Sequence, residues 1–185
     1  NLDLNGSDEF GGLARSFRGM VEVIKDRTAL AQRIAAGDVA VEVAVRSERD
    51  VLGKSFLQVV DSLRKLMCEA DALAKAAVAG KLATRGDAEQ FHGGYRQIIT
   101  GVNQTLDAVV GPLNVAAEYV DRISKGDIPP KITDSYHGDF NEIKNNLNTC
   151  IDSLNGLLRQ MKHMSDEHNK GDIDVVIPTD AFEGA

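Results

Sequence analysis

The feature that most restricts this chain is an apolar spacing of alternating threes and fours that returns in three long segments. From Phe140 it runs through Ile143, Leu147, Cys150, Leu154, Leu157, Met161 and Met164. An earlier segment gives Leu52, Phe56, Val59, Leu63, Leu66, Ala70, Leu73 and Ala77. Between them lie Ile98, Val102, Leu106, Val109, Leu113, Ala116, Val120 and Ile123. Such spacing is the a/d seam of a supercoiling helix. A fourth seam at the start, Phe10, Leu13, Phe17, Met20, Ile24, Ala31 and Ile34, is interrupted by Arg27. A seam this narrow does not close on a single helix, so each helix must meet partners, and the expected fold class is all-α and coiled-coil.

A second repeat punctuates the first. Gly, a charged residue and an apolar residue recur at Gly37-Asp38-Val39, Gly80-Lys81-Leu82, Gly126-Asp127-Ile128 and Gly171-Asp172-Ile173, spaced by 43, 46 and 45 residues. Each Gly follows a helix-like stretch and supplies the positive φ that ends a helix. About a dozen residues with spaced aliphatics follow each stop: Val39, Val41 and Val43; Ile128 and Ile132; Ile173, Val175 and Ile177. Short strands would alternate in the same way, but Pro129 and Pro130 cannot donate to a ladder, so an extended connector fits better. At roughly 3.3 Å per residue such a connector spans about 40 Å, enough to run back along a helix of three or four turns. The helices it joins can then be parallel, and two chains side by side would make a parallel four-helix bundle. An antiparallel hairpin is also compatible with a loop of this length.

Composition narrows the function classes. The chain of 185 residues is 43% hydrophobic, which excludes wholesale disorder, while 5% aromatics and no Trp suit narrow seams better than a thick core. A formal net charge of −7 without a basic cluster argues against a nucleic-acid or anionic-membrane partner. Cys68 and Cys150 lack CxxC spacing and a nearby His, which fits a reducing compartment rather than a zinc or disulfide framework. There is no signal-like segment and no apolar run of the ~20 residues that span a bilayer. The chain is expected to be a soluble, cytoplasmic fragment of something longer, whose parent is membrane-anchored or soluble.

The order of amphipathic helix, Gly-Asp, aliphatic connector, acidic residue near a Gly and second amphipathic helix resembles the HAMP domain, the dimeric signal-relay module of bacterial chemoreceptors and sensor histidine kinases. "SDEFGGLARSFRGM" (7–20) is similar to the family's Asp-Glu-x-Gly helix start at Asp8, Glu9 and Gly11, with core positions at Leu13, Phe17 and Met20. "RDVLGKSFLQVV" (49–60) is a variant with Asp50 and Gly53, followed by Leu52, Phe56 and Val59. "HGGYRQIITGVNQTL" and "YHGDFNEIKNNLNTCIDSL" resemble the divergent units of poly-HAMP arrays in chemoreceptors, with His92-Gly93-Gly94-Tyr95 and His137-Gly138-Asp139-Phe140 replacing the motif.

The resemblance implies the C-terminal part of one unit at 1–25, units at 26–68, 69–111 and 112–158, and the N-terminal part of another at 159–185. In each, the second helix would run directly into the first helix of the next, with a kink or junction expected at Gly111-Pro112. It further implies connector residues at Gly37, Val39, Val43, Gly80, Leu82, Gly126, Ile128, Ile132, Gly171 and Ile173. The helix-start group is Asp8, Glu9, Gly11, Asp50, Gly53 and Asp139. The dimer core would comprise Phe17, Met20, Phe56, Val59, Leu63, Val102, Leu106, Leu147, Cys150 and Leu154.

Other motifs give way to plainer readings. "NLDLNG" has part of a calcium-loop spacing, but Gly12 stands where the bidentate Glu belongs. Gly53-Lys54-Ser55 lacks the first glycine of a phosphate loop and reads as helix surface. His163 and His168 are five apart, which misses the i,i+4 spacing of a helical metal pair, while His92 and His137 read as polar residues at helix starts. No nucleophile, base and oxyanion group can be assembled.

The expected function is non-catalytic signal transmission in a chemoreceptor, with no cofactor and no metal. The expected partners are a second copy of the chain in a parallel homodimer, together with upstream sensor and downstream output domains. A histidine-kinase array and a static coiled-coil spacer are the alternatives. Each unit would switch between two packings, kept close in energy by poorly packing residues at or beside the seam, namely Ala70, Ala77, Thr105, Cys150 and Arg27.

Overall fold

A computed structural model describes residues 9–178 and contains four long helices: α1 (Glu9–Ala35), α2 (Val51–Val78), α3 (Gly93–Ser124) and α4 (Asp139–Asn169). Among the described residues there is no strand, and the only other element is a 3-10 turn at Ala88–Gln90. The chain falls into two compact units, Asn1–Asn103 and Gln104–Ala185, divided within α3. Pro112 does not break α3, although it lies inside the helix.

The helices stop as the glycine spacing predicts. Gly37, Gly80, Gly126 and Gly171 have φ of 85°, 72°, 80° and 97°. At each stop the glycine N–H donates to the carbonyl three residues back, and the next N–H donates to the carbonyl five residues back: Gly37 to Ile34 and Asp38 to Arg33, then Gly80 to Ala77 and Lys81 to Ala76. The pairs at the other stops are Gly126 to Ile123 with Asp127 to Arg122, and Gly171 to His168 with Asp172 to Glu167. This is the Schellman motif four times over, and it satisfies carbonyls that the helix end would otherwise orphan. At the first and third stops Arg33 and Arg122 also pair with Asp38 and Asp127, at 2.6 and 2.7 Å.

Each complete connector returns along the helix that follows it. After α3, Lys131 pairs with Asp152, Ile132 with Asn148 and the Asp134 carbonyl with Lys144, so the connector descends as α4 ascends. After α1, the Val39 and Val41 carbonyls meet Arg64, while Arg46 N–H reaches Asp50. After α2, Gly86 meets Asn103 further along α3, and Glu89 pairs with Arg96 nearer the start of α3. A connector that leaves the end of one helix and descends the next makes the two helices parallel. The hairpin alternative is thereby excluded within α1–α2, α2–α3 and α3–α4.

The core is thin and local. Its buried apolar side chains among the described residues are Val41, Val60, Leu73, Phe91, Ile99, Val110, Ile132 and Ile151, joined by Pro129. Gly86 shows how closely one connector lies on its helices, because a Cβ there would stand 2.9 Å from Ile99 Cγ2 and 3.2 Å from Leu73 Cδ1. Gly86→Ala is therefore expected to lower stability by about 1–3 kcal/mol through overpacking. Gly101→Ala, on α3 where a Cβ would meet nothing within 4 Å, should be neutral or stabilise by up to about 1 kcal/mol. Thermal unfolding of the two variants checks the contrast.

Candidate functional site: connector fastenings and an open seam

The first connector is held by charge. Arg27, a side chain of α1 that is only 9% exposed, donates to the Ala44 carbonyl and to Asp50 Oδ2, both at 2.8 Å. Asp50 is also the N-cap of α2: Oδ1 accepts from Gly53 N–H at 2.8 Å and Oδ2 accepts from Arg46 N–H at 3.0 Å. One carboxylate thus joins α1, the connector and the first turn of α2. Gly53 is needed for this approach, since a Cβ would fall 2.4 Å from Asp50 Oδ2 and 2.8 Å from Arg27 Nη2. Arg27 is consequently not the poorly packing seam residue expected from its position. It is a satisfied ion-pair partner whose charge has somewhere to go.

Above this pair, Arg64 of α2 donates to the Val39 carbonyl at 2.7 Å and to the Val41 carbonyl at 2.8 Å. Val41 is 1% exposed, with Val39 and Val43 half-buried on either side. The outer face carries a separate exposed pair, Arg46 with Asp26 at 2.8 Å.

The second and third connectors each carry a neutral amide clamp in addition to their exposed charged contacts. Asn103 Oδ1 accepts from Gly86 N–H and its Nδ2 donates to the Gly86 carbonyl, both at 2.8 Å. Asn148 repeats the pairing with Ile132, accepting its N–H at 2.8 Å and donating to its carbonyl at 3.0 Å. Gly86 and Ile132 each stand six residues beyond the helix-ending glycine. In the second connector Glu69 Oε1 also accepts from Asp87 N–H. In the third, Pro129 and Ile132 are buried and Ile128 is half-buried.

Two connector residues lie open instead. Leu82 is 41% exposed and Ile173 is 74% exposed. Leu82 sits in a turn right after its stop, ahead of the clamped Gly86. Ile173 also lies in a turn after its stop, where His168 Nε2 meets the Val175 carbonyl at 2.9 Å.

The expected dimer core divides into two sets. Phe56, Leu63, Leu106, Leu147 and Leu154 are half-buried, whereas Phe17, Met20, Val59, Val102 and Cys150 are exposed. On α4 the exposed set steps by seven, Ile143, Cys150 and Leu157, beside the half-buried Phe140, Leu147 and Leu154. Half of the seam thus faces the chain's own elements and half faces solvent. On the helices the deepest burial falls on Val60, Ile99 and Ile151, outside the expected core, and Val110 is buried as well. Each directly follows a seam residue, in the doublets Val59-Val60, Ile98-Ile99, Val109-Val110 and Cys150-Ile151. The doublets are the legible trace of a second apolar stripe, the width expected of a helix packed on two sides.

Asp139 begins α4, and Gly138 precedes it at φ 55°. Gly11 is buried. Asp8, the side chain of Glu9 and most of the calcium-like stretch lie outside the described residues. Gly53-Lys54-Ser55 occupies the first turn of α2, where Lys54 pairs with Glu48 and Ser55 Oγ donates to the Val51 carbonyl. Among the described residues, no three His, Cys, Asp or Glu side chains converge as a metal site, and no helix is long and apolar enough to cross a membrane.

The Arg46 and Gly53 N–H groups, with Arg27 adding to them, hold the Asp50 carboxyl below its ordinary value against the opposing effect of burial. A lowered folded value means that this carboxylate's stabilisation is complete above its unfolded value of about 3.9 and is lost as pH falls through the folded one. Asp38 and Asp127 titrate in the same direction through Arg33 and Arg122. Asp50→Asn is therefore expected to reduce stability at neutral pH and to shrink the loss seen below about pH 4. Acid titration by circular dichroism, compared with the unsubstituted chain, isolates its share.

Two stretches of the chain match family models described as HAMP domain: residues 1–26, and residues 90–156, which contain α3, the third connector and the first half of α4. No curated protein matches the chain. The parallel pair α3 and α4, the stop at Gly126 and the strapped third connector lie within the second match, and the chain contains HAMP domains, helical modules of signal transmission, at those two stretches.

Proposed function

We propose that this chain is a poly-HAMP relay that works as a parallel homodimer, passing a conformational change from a sensor domain to the output domain of a chemoreceptor. The units are those at 26–68, 69–111 and 112–158, flanked by parts of two more, and the segment catalyses nothing itself. The observation that carries this reading is the open half of the seam. Phe10, Leu13, Phe17, Met20 and Ile24 on α1 are 50–71% exposed, and Val59, Val102, Val109, Leu113, Val120 and Met161 continue the pattern at 40–56% on the later helices. On α1 these side chains form one exposed apolar stripe, and a contiguous apolar patch on a protein surface marks an interaction site. Their step of seven or of three and four matches a parallel copy of the same helix better than an unrelated surface.

HAMP domains act between neighbouring domains of one chain, which fits helices that serve as the second helix of one unit and the first of the next. The chemoreceptor assignment rests on the likeness of the two later units to divergent units of receptor arrays. A cytoplasmic setting follows from that assignment.

Cys150 is exposed on the open stripe, so two copies in a parallel dimer would place their thiols at one height, within disulfide reach. With Cys68 replaced by Ser, mild oxidation is expected to give rapid Cys150–Cys150 crosslinking without any change in the mass measured by light scattering. A monomeric mass before oxidation would sink the reading. Fusion to an output domain gives the second check: a receptor output that follows the upstream stimulus favours the relay, and an output indifferent to it favours a passive spacer.

A further inference from the structure

The three complete connectors are fastened in two chemically different ways, and one position tracks the difference. Asn103 and Asn148 each stand eleven residues after the matching His92 and His137. The corresponding place in the first unit, eleven residues after Arg49, is Val60. Val60 is fully buried and can contribute only packing. Along residues 39–44 that unit relies instead on Arg64 and Arg27, which reach the Val39, Val41 and Ala44 carbonyls, and Asp50 pins the connector only at its end through Arg46 N–H.

The two fastenings differ in compliance. An Asn side chain is short, and its amide meets both the N–H and the C=O of a single residue. Any slide of the connector breaks both bonds together and leaves buried peptide groups unpaired. At Gly86 the fit is tighter still, because Ile99 and Leu73 occupy the space where a side chain would be. An Arg side chain is long and carries only donors, spread over a fork. It can follow a moving carbonyl or exchange it for the next one while remaining bonded.

We propose that the first connector is a compliant tether and the second and third are rigid clamps, so that repacking occurs in the unit at 26–68 and the Asn-clamped units carry it onward as stiff bodies. The assignment of repacking to one unit rests on the relay reading above. The difference in stiffness belongs to the chain itself and is measured apart from signalling.

The test is 15N relaxation dispersion with amide hydrogen exchange on the whole chain, its mass recorded by light scattering in the same sample. Motion on the μs–ms scale is expected at residues 39–44 and not around Gly86 or Ile132. In Asn103→Leu and Asn148→Leu, exchange at Gly86 and Ile132 respectively should rise about tenfold, with dispersion spreading to that connector alone. The comparison of connectors within the unsubstituted chain needs no variant. Equal dispersion in all three connectors, none in the first, or protection at Gly86 and Ile132 that survives loss of the Asn overturns the proposal. A monomeric mass with the expected pattern would overturn the dimeric relay while leaving the two kinds of fastening in place.

Discussion

An extended segment that joins no sheet must still find partners for its peptide groups, and that requirement shapes each complete connector in this chain. A strand solves the problem with neighbouring backbone. Here side chains from the following helix do it: Arg64 for Val39 and Val41, Asn103 for Gly86, Asn148 for Ile132. Because these side chains project from fixed heights on α2, α3 and α4, they set where the connector crosses each helix. The parallel pairing of helices follows from that crossing. Once the helices are parallel, one stripe of each faces its own connector and another is left facing outwards.

Much of this was legible in the chain itself. Steps of three and four place the helices, and Gly37, Gly80, Gly126 and Gly171 end them, since both signals are local and rest on backbone geometry. The deepest core was less visible. Val60, Ile99 and Ile151 lie beside the a/d seam, and a search for a single narrow stripe passes over the second apolar face that a covering connector creates. Polar members of that face were hidden for another reason. An Asn on a helix looks like solvent-facing surface until a peptide group arrives opposite it, and that peptide group comes from 16 or 17 residues earlier in the chain. Arg27 shows the converse, a charge that interrupts an apolar pattern because its partner at Asp50 is 23 residues away.

The repeats share a frame and vary their chemistry within it. All four stops have the same pair of backbone bonds, yet only two carry the Arg–Asp pair, the second has Ala76 and Lys81, and the fourth has Glu167 and Asp172. Exposed pairs of this kind contribute little to stability. The stop therefore forms without them in two copies, whereas the positive φ of the glycine is present in all four. What the backbone requires is repeated, and what merely decorates it varies.

The paired bonds of Asn148 with Ile132 have one more consequence. A side-chain amide that takes both the N–H and the C=O of one residue occupies the same valences that a neighbouring strand would use. Next to it, Pro129 and Pro130 offer no N–H at all. An extended segment with open valences invites another chain to add alongside it, and sheet proteins guard their edges against that event. This helical chain guards its connector by the same logic, with one rung closed by an amide and two removed by proline, so a segment with the conformation of a strand is denied the company of one.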